Sequence, residues 1–229
     1  MRASALALVL TAALLAGCGR HMKAAPPNDE ASKPAAEVFA DAKAAATGAS
    51  SAHVSGNIQS GGTAITLDLD MVRGKGAKGS VTLDGRQADI VRIGDVAYVH
   101  GSDAFWQHYA GPLIAQLLHD KWVKAPVDTK RFQSLAPLTN LGLLFAKIGA
   151  HHGKLVNDGK TTFKGQQVVA IRDTSDNSKL YVAATGKPYP VAIVGGEAGR
   201  SGSIEFSDWN QHVSLTAPSG AIDISSLEG

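Results

Sequence analysis

The stretch TAITLDLDMVR at residues 63–73 alternates apolar and polar side chains more regularly than the rest of the sequence. Successive side chains of a strand point to opposite faces, so Ile65, Leu67, Leu69 and Met71 would share one face. Polar side chains would occupy the other face. One covered face and one wet face are typical of an antiparallel sheet. The stretch therefore predicts a half-buried antiparallel strand.

The same period of two continues on both sides of this strand. Glycine-rich turns separate the runs, and Gly94-Asp95 suits a tight hairpin. The chain from 51 to 100 thus predicts a five-strand meander. Strands return after residue 152. The later predicted strands cover 153–164, 166–173, 179–183, 189–194 and 203–208, with 213–216 and 222–224 as candidate short edges.

Helical patterns fall before the meander and in the middle of the chain. A first helix is expected to begin near Pro34 and to end at Gly48. Shorter helices are expected over 103–109 and 112–119, and the most apolar one over 137–148. About ten strands with helices grouped in this way indicate an α+β fold, because βαβ units would alternate strand and helix.

The N-terminus predicts a processed and lipidated start. Residues 5–16 form a short apolar run after one basic residue, which is typical of a secretory signal and too short to span a bilayer. The run ends in LAGC, which contains the only cysteine, Cys18. This motif resembles the bacterial lipobox, which implies cleavage before Cys18 and diacylglyceryl transfer to its thiol. We therefore expect residues 1–17 to be removed, and the mature chain to be lipid-anchored at the extracytoplasmic face of the cell membrane.

The composition of the rest of the chain limits its domain organisation and its partners. Residues 18–33 mix proline, alanine and charge without periodicity, so they predict a flexible tether, followed by a single domain over 34–229. The 22 basic and 20 acidic residues leave a net charge of +2, which does not favour a nucleic-acid partner. With Cys18 acylated, no thiol remains for a disulfide or a cysteine metal site.

Several motifs together resemble one family. YVAATGKP at 181–188 is similar to its strand–turn–strand segment, and FSDWN at 206–210 is followed by LTAP at 215–218 and IDI at 222–224. With the aromatic cluster at 105–109 and the lipobox, these resemble the actinobacterial LppX, LprA, LprF and LprG lipoproteins, which are related to the LolA and LolB carriers. The turn at 184–186 departs from the family by lacking an Asp-Pro before Thr-Gly.

The resemblance implies a strongly curved antiparallel half-barrel with helices across its concave face. Between sheet and helices it implies a hydrophobic cavity for acyl chains of envelope lipids or lipoglycans, which the protein would carry or transfer. It implies no catalytic residue and no cofactor, and an envelope transporter is a candidate partner. The residues expected to line the cavity are Ile65, Leu67, Leu69, Met71, Val81, Leu83, Leu113, Leu117, Leu138, Leu141, Phe145 and Ile148.

Two alternatives stay open on the sequence. The same apolar residues would equally form an ordinary packed core, since protein interiors normally pack without voids. The protein would then be an anchored interaction or sensor protein without lipid cargo.

Metal binding and catalysis are poorly supported by the sequence. The eight histidines show no metal-ligand spacing, and neither a nucleophile elbow nor a phosphate-binding loop is present.

Overall fold

A computed structural model of the chain describes residues 25–60, 62–129, 139–148, 152–196 and 201–225. Its helices are α1 (Ala35–Gly48), α2 (Asp103–Ala110), α3 (Pro112–Leu118) and α4 (Leu141–Ile148). Its strands are β1 (Ser51–Ser60), β2 (Thr63–Val72), β3 (Gly76–Leu83), β4 (Arg86–Ile93), β5 (Val96–Gly101), β6 (Val123–Pro126), β7 (Leu155–Phe163), β8 (Gln166–Asp173), β9 (Lys179–Ala183), β10 (Pro190–Val194), β11 (Gly202–Ser207) and β12 (Ile222–Asp223).

The strands form one open, curved sheet in the order β12-β6-β5-β4-β3-β2-β1-β11-β10-β9-β8-β7. Neighbours are antiparallel except β12, which pairs with β6 in parallel. The predicted α+β class and curved antiparallel sheet are confirmed. Residues 213–216 form no strand, whereas the candidate edge at 222–224 supplies β12 beside β6.

Glycines let neighbouring strands approach where larger residues could not. Gly56 in β1 and Gly79 in β3 have φ of 145° and 141°, a backbone conformation that L-residues with a Cβ rarely adopt. A Cβ on Gly79 would lie 2.0 Å from the carbonyl oxygen of Asp68, and one on Gly56 would lie 2.0 Å from that of Ser203. These two positions therefore fix the local path of the sheet.

The helices cover the apolar face of the sheet in two clusters. The main core lies beneath α2, α3 and α4 and includes Leu67, Leu69, Ile90, Val99 and Phe206. The smaller cluster, which we call the α1 core, joins Val38 and Ala42 to Val169, Ile171 and Val182 of β8 and β9. Both clusters use the inward-facing positions of their strands, as the alternation in the sequence predicts.

The N-terminal segment is part of the fold from Pro27 onward. Pro27 forms a bridge with Thr185, and the backbone N–H of Asn28 donates to the carbonyl of Ala184 at 2.9 Å. This differs from the flexible tether expected over 18–33. The difference arises because polar hydrogen bonds, which leave no periodicity in sequence, hold the segment. Residues 18–24 lie outside the described part of the chain.

A charge cluster around the buried side chain of Glu30 completes this attachment. The side chain of Glu30 is almost fully buried and accepts from Lys33 Nζ at 2.8 Å, while Lys33 also donates to Asp41 of α1 at 2.8 Å. The hydrogen bond that Lys33 donates to Asp41 is the larger cause, and together with the one donated to Glu30 it raises the pKa of Lys33 well above its ordinary value. Lys33 therefore stays charged and fastens the N-terminal segment to α1.

Candidate functional site

A cavity of about 370 Å³ lies between α1 and one end of strands β7 to β11 and β1. Its size falls near the lower end of the roughly 300–1,000 Å³ typical of small-molecule sites. The apolar side chains of its wall come from six strands. They are Ile58, Leu155, Ile171, Leu180, Ile193 and Ile204. Phe39 of α1 lines the cavity opposite the sheet.

Strand register brings four of these side chains into one row. Ile171 pairs with Leu180, Leu180 pairs with Ile193, and Ile193 pairs with Ile204. Paired residues of adjacent antiparallel strands project to the same face. The row therefore makes a continuous apolar surface across β8, β9, β10 and β11.

Polar groups gather where the strands end. Asp173, Ser178 and Lys179 lie at the β8–β9 connection, and Gln59 and Ser201 lie at the ends of β1 and β11. His152 also lines this end, with its ring 4.9 Å from that of Phe39. The cavity thus has an apolar interior and a polar rim, which suits a molecule with one apolar and one polar end.

Asp173 organises the rim structurally. Its carboxylate accepts from the backbone N–H of Gly153 at 2.9 Å, and from the backbone N–H and the hydroxyl of Ser175 at 2.8 and 2.6 Å. Burial raises the pKa of Asp173, but these hydrogen bonds outweigh it and hold the pKa below its ordinary value. Asp173 is therefore an ionised anchor for the loops around the cavity.

The structure places most residues of the predicted lining in the main core. Leu67, Leu69, Met71, Val81, Leu141 and Phe145 are buried there, and Ile65 and Leu83 pack against it. None of these contributes to the wall of the 370 Å³ cavity. Leu138 and the side chain of Ile148 lie outside the described residues. Lining by Leu141 and Phe145 stays a prediction.

Leu113 and Leu117 differ most from the expectation. Their exposed fractions are 76% and 69%, because α3 turns Ala115 and Leu118 toward the core instead. The residues that sequence reasoning missed are the apolar positions of β8 to β11. The alternation of these positions is visible in the sequence, but alternation does not indicate that a cavity lies between this half of the sheet and α1.

Three of the described histidines, His53, His100 and His119, lie within 4 Å of aspartate carboxylates. His53 Nδ1 lies 2.9 Å from Asp70, and His119 Nδ1 lies 2.8 Å from Asp103. Within the described ranges, no three histidine, cysteine, aspartate or glutamate side chains are grouped so as to hold a metal ion. In the same ranges, no helix is both long enough and apolar enough to cross a bilayer.

The similarity of this chain to known proteins is found in its fold. The sequence matches no family model and no curated protein. Among solved structures, LprF from Mycobacterium bovis aligns over 85% of this chain and 100% of its own, with 15% identity and a TM-score of 0.55. The lipoprotein LppX from Mycobacterium tuberculosis aligns over 79% of this chain and 99% of its own, with 16% identity and a TM-score of 0.50. The chain therefore has the LprF and LppX fold, as the motifs predicted.

Proposed function

We propose that this protein is a membrane-anchored lipoprotein that binds acyl chains of envelope lipids or lipoglycans and carries them between sites. The observation that carries the proposal is the cavity between α1 and β7 to β11, with six apolar side chains inside and a polar rim at one end. Each methylene that moves from water into such an interior contributes about 0.8 kcal/mol to binding. Burial of an acyl chain would therefore hold the lipid without a covalent bond to the protein.

The fold supports a carrier role more than catalysis. LprF and LppX share this fold, and LppX is a lipoprotein. The carboxylate at the rim, Asp173, is engaged by Gly153 and Ser175 and holds loops in place. We accordingly propose that the protein is not an enzyme, and that its work is to shield an acyl chain from water.

Anchoring is proposed through Cys18. Two acyl chains on one residue make membrane attachment stable. Six residues lie between Cys18 and Ala25, the first described residue, so seven steps of at most about 3.3–3.6 Å each join the two. The folded domain would therefore stay within roughly 25 Å of the bilayer surface at its point of attachment. That position suits a protein that takes lipid from, or delivers it to, an envelope membrane.

Native mass spectrometry tests lipid binding directly. A chain that begins at Gly19 keeps every contact described above and lacks Cys18, so it can be exported without an anchor behind a secretion signal that has no lipobox. It would be produced in a bacterium rich in envelope lipids, and bound lipid would be released and identified. We expect an acyl lipid at one per protein. A clean unliganded mass that persists after incubation with phospholipid vesicles would refute lipid carriage and favour the packed-core interaction protein.

A matched pair of variants assigns any bound lipid to the cavity. Ile193→Trp fills the cavity from its sheet wall, whereas Val194→Trp adds the same ring on the opposite face of β10. Copurified lipid should disappear in Ile193→Trp and persist in Val194→Trp. Equal retention in both variants would place the lipid elsewhere.

A further inference from the structure

The inner end of the cavity is closed by tightly packed side chains. On β11, Ile204 lines the cavity, but Phe206, two residues further along the same face, is only 4% exposed. Its ring lies against that of Phe145 on α4, with the centroids 5.1 Å apart and the planes tilted by 36°. On β8 and β9, Val169 and Val182 are fully buried in the α1 core. The cavity therefore ends at the row that contains Ile204.

The open part of the cavity is short along the strands. It runs from Ile204 to Ser201 on β11, three residues at about 3.3 Å each, so its extent along that strand is about 10 Å. On β1 it reaches Ile58 and Gln59, which are near the end of the strand. A molecule held inside thus enters from the end that carries the polar rim.

Among the residues that the structure describes, the other half of the apolar sheet face is closely packed. Leu67, Leu69, Ile90 and Val99 on β2, β4 and β5 are each at most 2% exposed in the main core. Buried side chains of the covering helices, including Trp106, Leu118 and Phe145, pack in the same cluster. Interiors this closely packed resist the insertion of extra methylenes. A second acyl chain would have to remain in water at the rim.

We infer that the cavity takes a single acyl chain, and that its ligand class is a single-chain amphiphile, either a free fatty acid or a monoacyl lipid. This inference rests on the proposed function, because it assumes that the cavity binds acyl chains at all. The apolar row Ile171, Leu180 and Ile193 contacts the chain, and the polar end of the amphiphile lies among the rim groups. Lipids with two acyl chains bind more weakly, because the second chain stays exposed to water.

The test compares three lipids on the chain that begins at Gly19. Palmitic acid, palmitoyl-lysophosphatidylglycerol and dipalmitoyl-phosphatidylglycerol share one acyl chain length and differ in chain number and headgroup. After delipidation, each is added below its aggregation concentration and the complexes are quantified by native mass spectrometry. We expect a one-to-one complex with palmitic acid or the lysolipid at least about tenfold tighter than with the two-chain lipid. Whichever of palmitic acid and the lysolipid binds more tightly shows whether the ligand is a free fatty acid or a monoacyl lipid.

Variants tie this selectivity to the cavity. Ile193→Trp should lose the single-chain complex and Val194→Trp should keep it, with circular dichroism confirming that both are folded. Should Ile193→Trp fail to fold, Ile204→Phe narrows the same row with a smaller change. A two-chain complex as tight as the single-chain ones, and lost with the same variants, would overturn the inference and leave the proposed function standing. Absence of any lipid complex would overturn both.

Discussion

The ring of Phe145 on α4 lies against the ring of Phe206 on β11, with their centroids 5.1 Å apart. Trp209 extends the group, with its ring centroid 6.1 Å from that of Phe145, and Tyr189 stacks on Trp209 at 4.7 Å. This aromatic group joins a covering helix to the sheet directly behind the cavity. It is therefore the contact that holds α4 down and closes the inner end.

Truncation of Phe145 should be costly for the fold. Phe145→Ala removes a side chain that is 4% exposed, and such core truncations lower the free energy of unfolding by about 3–5 kcal/mol. Urea unfolding measures the change. Leu143→Ala is the matched control, because Leu143 lies on the same helix but is 47% exposed, and its effect should stay within about 0.5 kcal/mol. Similar losses in both variants would show that α4 does not pack as described.

A cavity role for α4 has its own test. The sequence predicts that Phe145 lines the cavity, whereas the structure places its ring behind the cavity and in the main core, so Phe145→Asp probes its role. If the variant folds, reduced uptake would follow from the opened inner end and would support the closure described above. Unchanged uptake with an unchanged free energy of unfolding would contradict that closure.

The sheet should not tolerate a side chain at Gly79. Gly79→Ala combines a φ of 141° with a Cβ placed 2.0 Å from the Asp68 carbonyl oxygen, so we expect a loss of about 3 kcal/mol or more in the free energy of unfolding. Gly48→Ala is the control, since that glycine ends α1 with no atom within 4 Å of a Cβ. Its substitution should change stability by about 1 kcal/mol at most. A neutral Gly79→Ala would contradict the described path of β3.

The buried carboxylate of Glu30 should make Lys33 important for stability. Lys33→Ala leaves that carboxylate buried without this cation, so we expect a clear loss in the free energy of unfolding. Adding Glu30→Gln should recover part of the loss, because the uncompensated charge is removed. Lys43→Ala replaces an exposed lysine of α1 and should be neutral in the same thermal or urea unfolding series. A neutral Lys33→Ala would mean that the N-terminal segment is not fastened to α1.

The contact between His119 and Asp103 predicts that the stability of the protein depends on pH. The hydrogen bond with Asp103 raises the pKa of His119 above its ordinary value. Because the folded-state pKa is raised, the stabilisation is fully present below the unfolded-state value of about 6.5 and disappears as the pH rises through the folded-state pKa. NMR titration should show the raised pKa in the wild type and an ordinary one in Asp103→Asn. Identical titration curves would contradict the pairing of α2 with the end of α3.

Much of the sheet could be predicted from the sequence because its signal is local. The alternation at 63–73 gave the inward positions of β2, and Gly94-Asp95 marked a real hairpin between β4 and β5. The exposed Leu113 and Leu117 could not be predicted, because three leucines at 113, 117 and 118 look like one stripe until the sheet fixes which side of α3 is covered.

The site was harder to predict than the fold for a physical reason. A leucine that fills a core and an isoleucine that lines a cavity have the same chemistry, and only the distance between layers separates them. Leu69 and Ile193 both occupy inward strand positions, yet the first is fully buried in the main core and the second lines the cavity. Likewise, the attachment of Asn28 to Ala184 depends on a partner 156 positions away in sequence, beyond the reach of any local pattern.

Photo-crosslinking tests the central claim most directly. Palmitic acid with a diazirine near its methyl end would be bound to the delipidated chain, irradiated, and the labelled peptides mapped by mass spectrometry. If the cavity holds the acyl chain, the label should fall on the row of Ile171, Leu180, Ile193 and Ile204, and excess unlabelled palmitic acid should compete it away. Labelling of the exposed Leu113 and Leu117 on α3 instead, or no competed labelling at all, would contradict an acyl-chain site between α1 and the sheet.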